Sequence, residues 1–304
     1  MTYSKLRFER APTSRREFLE GLGVATTVGL AHGLACKAVQ ADEGGKRLSI
    51  AWDKNFLSIR GDFAGKELRI HYLEAYCRPG STDRDWSQTV IGHETQLISA
   101  SEDKSVIKLE DRLKDGVIVM HTITAGADEI DSQLVAHNPT AQPSFAHWAQ
   151  PCIRVDKFTG CEADDSRALV PKYARQCFLF VDGALARMPT MPWAEKARYT
   201  PGQVYCPKHV DRDDVNPRPL SKLIPSNGLC GCFSADNKQI MAVAWEPYQE
   251  IFQGVATCIH SDFRLGGLKP QETRHIRGKL YIVDADVAGL LKRYESDFPE
   301  HLAK

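Results

Sequence analysis

The 304-residue sequence has no excess of charge of either sign, because 39 lysines and arginines balance 39 aspartates and glutamates. A protein whose main partner is nucleic acid usually carries a basic stripe or tail. The even charge and the absence of any charge block therefore argue against nucleic acid as a partner. Beyond the N-terminus, no stretch reaches the roughly 18 apolar residues that a membrane-spanning helix needs. We expect no membrane span in the mature protein.

Motifs of several common catalytic classes are missing as well. No Cys-x-x-Cys pair occurs, which argues against a zinc ribbon, and neither a nucleotide-binding P-loop nor a G-x-S-x-G nucleophile elbow is present. His93-Glu94 begins like a zincin helix, but Leu97 stands where the second histidine belongs. The sequence also has no internal repeat. Any function must therefore be sought in less regular clusters of polar residues.

The N-terminus carries the clearest signal in the chain. Residues 14–19 read Ser-Arg-Arg-Glu-Phe-Leu, which resembles a twin-arginine export signal, and a weakly apolar segment and a small-residue cleavage site at 39–41 follow. We expect residues 1–41 to be a signal peptide, the translocase to be a partner, and the mature protein to work in the periplasm or cell envelope. The residues before Cys36 make a poor lipoprotein site, so we expect no lipid anchor there.

Eight cysteines remain after the signal peptide. An oxidising compartment could pair them, but a protein that folds before export does so where thiols stay reduced. Several of them lie in apolar, strand-like runs, where cysteine often behaves as a small hydrophobic residue. We expect mostly free, buried thiols.

Residues 42–304 read as one domain of short strands separated by turns. Ile130, Leu134 and Ala136 fall at even spacing, as in a half-buried strand, and Asp182-Gly183 is a strong hairpin signal. Strands do not alternate with helices, and one helix is clear, beginning after Asp286. The pattern predicts a mainly β protein, a large, supersandwich-like antiparallel β-sandwich with a long Pro-rich loop over 189–225 and a C-terminal helix.

The Pro-rich loop holds the densest polar cluster. In an extended chain His209, Asp211 and Asp213 point to one side, where they could hold a divalent metal or act as a general base with a charge stabiliser. A solvated loop whose aspartates pair with Arg212 and Arg218 is the alternative.

Three other clusters are candidates for ligand contacts. His260 and Asp262 share a strand face and could transfer a proton, and Glu246 could act as a general acid beside Trp245. In the runs His147-Trp148 and Trp245-Glu246 a tryptophan ring could cover the apolar face of a sugar while its polar neighbours bind hydroxyls. Arg84 lies in a further polar run, and arginine can bind a carboxylate or sulfate through two hydrogen bonds. The expected catalytic residues are His209, His260, Asp262 and Glu246. The expected substrate-binding residues are Arg84, His147, Trp148, Arg218, Trp245 and Arg264.

Longer runs carry two resemblances. Residues 199–209 and 214–219, with Ala-Trp-Glu-Pro-Tyr-Gln at 244–249 and His-Ser-Asp-Phe at 260–263, resemble uncharacterised proteins that planctomycete-like bacteria export by the twin-arginine route. This resemblance implies export and assigns no catalytic residue. The strand order and the run Leu-Lys-Pro-Gln-Glu-Thr at 268–273 resemble galactose-mutarotase-like sandwiches, in which glycine is usual where this chain has Gln271. That resemblance implies a sugar ligand by analogy of fold alone.

Together these features favour an exported β-sandwich that binds or processes carbohydrate in a cleft shaped by the Pro-rich loop, with hydrolase, lyase and epimerase chemistry all open. A non-enzymatic envelope-binding or structural protein and a metal-dependent hydrolase are the alternatives. If the first interpretation holds, His209 and His260 should meet on one concave face.

Overall fold

The computed structural model describes residues 47–80, 85–161, 171–188, 203–216, 219–254 and 256–301. Gly44–Lys304 forms a compact unit. Its strands in chain order are β1 (Ser49–Asp53), β2 (Phe56–Arg60), β3 (Glu67–Cys77), β4 (Val90–Ile91), β5 (His93–Ala100), β6 (Val106–Leu113), β7 (Ile118–Ala125), β8 (Glu129–His137), β9 (Trp148–Arg154), β10 (Cys177–Val181), β11 (Ala184–Arg187), β12 (Val204–Tyr205), β13 (Cys230–Phe233), β14 (Gln239–Glu246), β15 (Tyr248–Gly254), β16 (Cys258–Arg264) and β17 (Thr273–Asp284). The helices are α1 (Trp86–Thr89), α2 (Asp156–Thr159) and α3 (Val287–Asp297), with 3-10 turns at Lys172–Gln176 and Pro299–His301.

The strands form two sheets in which neighbouring strands run antiparallel. Sheet 1 has the order β1-β2-β3-β9-β16-β15-β12, and β4 also pairs with the end of β3. Sheet 2 has the order β11-β10-β13-β14-β17-β8-β7-β6-β5. The predicted antiparallel β-sandwich is confirmed, and no strand–helix–strand unit interrupts it in the described part of the chain.

The main core fills the space between the two sheets. Alternate residues of β6, β7 and β8 are buried, as period-two patterning requires, and they meet inward residues of sheet 1 such as Ile59, Ile153 and Ile259. Full burial of one such aliphatic side chain contributes about 1.5–3 kcal/mol. The core therefore fixes which face of each strand points outward.

A second apolar cluster holds α3 against sheet 2. Asp286 caps the helix by accepting a hydrogen bond from the Gly289 amide at 3.0 Å, and Leu290 and Tyr294 are its buried residues. They pack with Phe178, Tyr281 and other residues of sheet 2. The predicted C-terminal helix and its cap are confirmed. None of the described helices has the length and apolar character needed to cross a membrane.

The Asp182-Gly183 hairpin is also as predicted, because both residues have positive φ, 51° and 75°, and they join β10 to β11. At Gly278, by contrast, the sequence suggests a break between two strands, whereas β17 runs continuously from Thr273 to Asp284. A Cβ at Gly278 would lie 2.3 Å from the ring of Trp245. The glycine therefore makes room for a core tryptophan on the neighbouring strand instead of ending the strand.

The described part of the Pro-rich loop, residues 203–216 and 219–225, packs on sheet 1. Its only regular element there is the two-residue β12, which pairs with β15 at the end of the sheet, in keeping with the inability of proline to sit in central strands. Val210 and Val215 of the loop cluster with Phe252 of β15. The loop is thus anchored on the face of sheet 1 that points away from the main core.

All eight cysteines beyond residue 41 lie in the described residues, are buried, and take part in no disulfide. The expectation of buried thiols therefore agrees with the structure.

Candidate functional site

Some of the predicted features lie outside the described residues. These are the export signal at 1–41 with Cys36, and the two arginines Arg84 and Arg218.

A cleft of about 720 Å³ opens where the Pro-rich loop, the β14–β15 junction and the C-terminal turn meet. This volume is typical of small-molecule sites, which span about 300–1,000 Å³. Its wall combines prolines and an isoleucine with several polar side chains. The lining residues are Asp182, Pro207, Lys208, His209, Ile224, Pro225, Ser226, Asn227, Glu246, Pro247, Tyr248, Glu300 and His301.

A chain of hydrogen bonds links the helix α3 to a carboxylate in this cleft. The Gly228 amide donates to the Tyr294 hydroxyl at 3.1 Å, the hydroxyl bonds to His301 Nδ1, and His301 Nε2 lies 2.5 Å from Glu246 Oε2. If the single hydroxyl proton goes to Nδ1, the neutral imidazole carries its proton on Nε2 and donates to Glu246. This series of hydrogen bonds orients the His301 ring and holds the Glu246 carboxylate in position.

Glu246 and His301 differ in exposure. The Glu246 side chain is 31% exposed, whereas that of His301 is 7% exposed. The carboxylate can therefore reach a ligand while the imidazole behind it is shielded. This is the arrangement in which a carboxylate is oriented for proton transfer.

His209 and Tyr248 lie next to each other in the wall of the same cleft. Tyr248 packs perpendicular to His209, with ring centroids 6.1 Å apart, and it makes a similar contact with His301 at 5.6 Å. Burial, with smaller effects of Cys206 and Glu246, raises the pKa of Tyr248 well above its usual value. Tyr248 is therefore a neutral hydrogen-bonding group at ordinary pH, and His209 is the imidazole next to it.

Glu300 is the other glutamate of the cleft, and it has an ionic partner. Arg277 donates to its carboxylate. Burial pushes the pKa of Glu300 upward, but its hydrogen bonds to the backbone and to Arg277 outweigh that effect, and its pKa is lowered. Glu300 is therefore ionised and unsuited to act as a general acid.

Arg264 and His147 lie close together, but both contact a carboxylate of the protein, that of Asp214, instead of facing an open ligand site. Asp214 of the loop accepts from Arg264 at 3.0 Å and lies 3.0 Å from His147 Nδ1, and Gln249 accepts from the same arginine nitrogen at 2.5 Å. Two residues further along, the Asn216 amide donates to the buried Glu250 carboxylate at 2.9 Å. The predicted ligand-binding pair thus fastens the loop that carries His209.

His260 and Asp262 do not share the cleft with His209. Both are buried in β16, at 2% and 0% exposure, and neither lines the cleft. The expectation that His209 and His260 form one site does not hold, because β16 places His260 under the loop and against Phe252, with ring centroids 4.2 Å apart.

The sugar-stacking role expected for two tryptophans does not agree with their burial. Trp148 is 0% exposed and packs near Trp86, and Trp245 is 4% exposed and packs on Phe263 in the core. Each ring is covered because its large apolar area stabilises the interior. The polar residue after Trp245, Glu246, is the one that reaches the cleft.

The metal site expected at His209, Asp211 and Asp213 is not formed. Asp211 and Asp213 are exposed, and Asp211 accepts a hydrogen bond from the Asp213 amide at 3.1 Å, an Asx turn that satisfies the local backbone. Within the described residues, the one group of three or more side chains placed to hold a metal is Cys152, Cys258 and His260. The aspartates shape the loop.

A second carboxylate–imidazole–phenol network, which the sequence did not suggest, lies between the sheets. The His121 ring joins Tyr72 at 2.9 Å and Asp111 at 3.0 Å, and Tyr76 donates to the same carboxylate oxygen at 2.5 Å. Each residue is at most 2% exposed. Tyr72 and Tyr76 come from β3, whereas Asp111 and His121 come from β6 and β7, so the network joins the two sheets. No local pattern marks these four residues as partners.

Neither a protein-family model nor a curated protein matches the chain. Among solved structures the fold is similar to galactose mutarotase-like proteins. One from Lactobacillus casei is 9% identical with a TM-score of 0.40, covering 77% of this chain and 99% of that one. One from Clostridium acetobutylicum is 12% identical with a TM-score of 0.40, covering 77% and 94%. A galactose mutarotase related enzyme from Lactobacillus acidophilus is 8% identical with a TM-score of 0.41, covering 79% and 98%. Such a likeness transfers no residue role.

Proposed function

We propose that this protein binds a carbohydrate in the cleft and opens and closes the sugar ring by proton transfer, with Glu246 as the base. The observation that carries the proposal is the hydrogen-bonded chain Tyr294–His301–Glu246, which ends on a partly exposed carboxylate. Prolines of the cleft offer apolar surface to the C–H face of a sugar, and Asn227, Ser226 and Lys208 offer hydrogen bonds to hydroxyls.

The reaction needs a base and an acid and no net change in atoms. Glu246 takes the proton of the anomeric hydroxyl, and an acid gives a proton to the ring oxygen, so that the C–O ring bond breaks and a carbonyl forms. The reverse steps close the ring on either face. His209 is the acid in this scheme, since it lines the same cleft and an imidazole can exchange protons near neutral pH.

Hydrolysis of a glycosidic bond fits the cleft less well. That chemistry usually pairs an ionised carboxylate with a carboxylic acid whose pKa is raised. The pKa of Glu300 is lowered, and Arg277 neutralises its charge. The cleft therefore favours an imidazole as the acid.

The test is the rate at which freshly dissolved single anomers of glucose and galactose equilibrate, followed by polarimetry or by NMR exchange. Glu246→Gln should slow catalysed interconversion by about 10²-fold or more, since general acid–base groups contribute about 10²–10⁴-fold. Glu110→Gln, in an ion pair with Arg112 on sheet 2, is the matched control and should keep the wild-type rate.

Binding and turnover are measured separately. Saturation-transfer NMR should detect sugar on both wild type and Glu246→Gln. If sugars bind but the wild type does not speed interconversion, the protein is a binding protein and the catalytic part of the proposal fails. If no sugar binds, the whole proposal fails.

We also propose that residues 1–41 export the protein through the twin-arginine route. Replacing Arg15 and Arg16 together by lysine should leave the full-length precursor in the cytoplasm, whereas the same replacement of Arg7 and Arg10 should not. Cell fractionation with immunoblotting measures the outcome. Export of the Arg15→Lys/Arg16→Lys variant would contradict this route.

A further inference from the structure

Two cysteines and one histidine form a compact buried group on sheet 1. Their ligand atoms, Cys152 Sγ, Cys258 Sγ and one ring nitrogen of His260, all lie within 4.8 Å of one another. Cys258 Sγ is 3.3 Å from His260 Nε2. Each of the three residues is 2% exposed. The group is separate from the cleft, whose lining includes none of them.

The strand register brings these residues together. Cys258, His260 and Asp262 alternate along β16 and therefore share one face of the sheet. Ile153 of β9 pairs with Ile259, which places Cys152 beside this row. The neighbouring strand leaves space for sulfur, because a Cβ on Gly254 would lie 2.4 Å from Cys258 Sγ.

A carboxylate lies near the other nitrogen of the histidine ring, at ion-pair distance. Asp262 Oδ1 lies 3.7 Å from His260 Nδ1, while Nε2 faces Cys258. In many zinc sites a carboxylate holds the free ring nitrogen of the ligating histidine and thereby fixes its tautomer. The stacked ring of Phe252 covers the imidazole, so the group is closed to solvent.

The spacing and the charges suit zinc. Zinc–sulfur and zinc–nitrogen bonds of about 2.3 and 2.0–2.1 Å at a tetrahedral angle put S and N about 3.6 Å apart, close to the 3.3 Å observed. Two thiolates would balance the double charge of the ion, so that the occupied site would bury no net charge.

We propose that Cys152, Cys258 and His260 bind one zinc ion, with Asp262 as the positioning residue for His260. The described residues supply three ligands, and the fourth position of the ion would take a water or a small anion. Because Cys152 lies on β9 and the other two ligands lie on β16, the ion would join these two strands. The inference is independent of the proposed function, because the ion would lie outside the cleft.

The first test is the metal content of the full chain, purified without chelators and analysed by inductively coupled plasma mass spectrometry. We expect about one zinc per chain. X-ray absorption at the zinc edge should give two sulfur and two nitrogen or oxygen neighbours. A chain without zinc, or zinc with no sulfur neighbour, would overturn the proposal without affecting the sugar assays.

The second test replaces zinc by cobalt(II), whose thiolate charge-transfer and tetrahedral d–d bands report the ligand set. Cys152→Ser, Cys258→Ser and His260→Gln should each weaken cobalt binding at least about tenfold. Cys232→Ser, at another buried cysteine outside the group, is the matched control and should keep the wild-type bands. Unchanged bands in the three ligand variants would contradict the site.

A disulfide between Cys152 and Cys258 is the competing outcome. Mass spectrometry of the alkylated, unreduced chain distinguishes the two, because a zinc-bound pair becomes alkylated after chelation and denaturation whereas a disulfide does not. A linked peptide containing both residues in the wild-type chain would overturn the zinc assignment. This readout uses the wild-type protein and does not depend on any variant folding.

Discussion

A hydrogen-bonded network of a carboxylate, an imidazole and a phenol occurs twice in this protein, once buried and once at the edge of a cleft. Asp111, His121 and the tyrosines of β3 are sealed between the sheets, each at most 2% exposed. Glu246, His301 and Tyr294 end in the cleft, where the carboxylate is 31% exposed. The same functional groups therefore link the two sheets in one place and are candidates for proton transfer in the other.

The difference lies in what surrounds each carboxylate. In the sealed network every group must find its partner inside the protein, because an unpaired buried charge is costly. In the cleft one side of the carboxylate is held by His301 and the other can meet a ligand. The comparison predicts that loss of the sealed carboxylate mainly harms stability and that loss of the open one mainly harms turnover.

The largest effect is expected for Asp111→Ala. The change leaves His121 and Tyr76 without their shared acceptor in the core, and removal of one partner from a buried pair typically costs about 3–5 kcal/mol. Urea unfolding followed by tryptophan fluorescence measures it. Glu110→Ala, the preceding residue, is the control and should cost much less because its partner Arg112 is exposed. Equal losses in the two variants would contradict a stabilising role for the sealed network.

A smaller loss is expected for Asp214→Ala, which removes the anchor of the Pro-rich loop. Arg264 and His147 would lose their acceptor, and a hydrogen bond to a charged group contributes about 1.5–3 kcal/mol. Hydrogen exchange should accelerate at 203–216 more than in the core strands. Asp213→Ala changes the exposed neighbour and should leave exchange near wild type. Uniform acceleration over both sheets would show that Asp214 does not act locally.

The decrease of the unfolding free energy at acid pH should also depend on Asp111. Burial by itself would raise the pKa of Asp111. The charge of His121 and the hydrogen bonds of His121, Thr95 and Tyr76 have a larger, opposite effect, so the pKa of Asp111 is lowered in the folded protein. An unfolded aspartate titrates near about 3.9, so the stabilisation from Asp111 is present above that pH and is lost as the pH falls toward the lower folded value. This group contributes a slope of at most about 1.4 kcal/mol per pH unit. Asp111→Ala should lower the slope of unfolding free energy below pH 4, and an unchanged slope would argue that Asp111 is not the titrating group.

The smallest change in stability is expected for Glu246→Gln. Glutamine keeps an acceptor for His301 Nε2, and a single hydrogen bond contributes about 0.5–1.5 kcal/mol to stability. Thermal and urea unfolding should therefore stay near wild type while the turnover of sugar anomers is lost. If Glu246→Gln destabilised the protein as much as Asp111→Ala, the distinction between the two networks would fail.

Local patterns were enough to predict the architecture. Alternating apolar residues, the Asp182-Gly183 turn and the Asp286 cap each act within a few residues of chain, and all three occur in the structure. The continuous strand at Gly278 was missed because the reason for that glycine, the ring of Trp245, sits on another strand.

The candidate site was predicted only in part. His209 and Glu246 were selected from their own segments and do line one cleft, but His301 was missed, since 55 residues separate it from Glu246 and no motif surrounds it. His260 was assigned to the same site because its strand carries a plausible His–Asp pair. Nothing in that strand alone reveals that a loop and Phe252 cover the ring.

The sequence by itself determined the strands, the sandwich, the final helix and the buried cysteines, because hydrophobic periodicity and turn chemistry are short-range properties of the chain. Only the tertiary structure decided which carboxylate meets which imidazole, which of them reaches solvent, and which cysteines face a histidine. Those outcomes depend on strand register and on the packing of the Pro-rich loop, which bring together residues far apart in the chain.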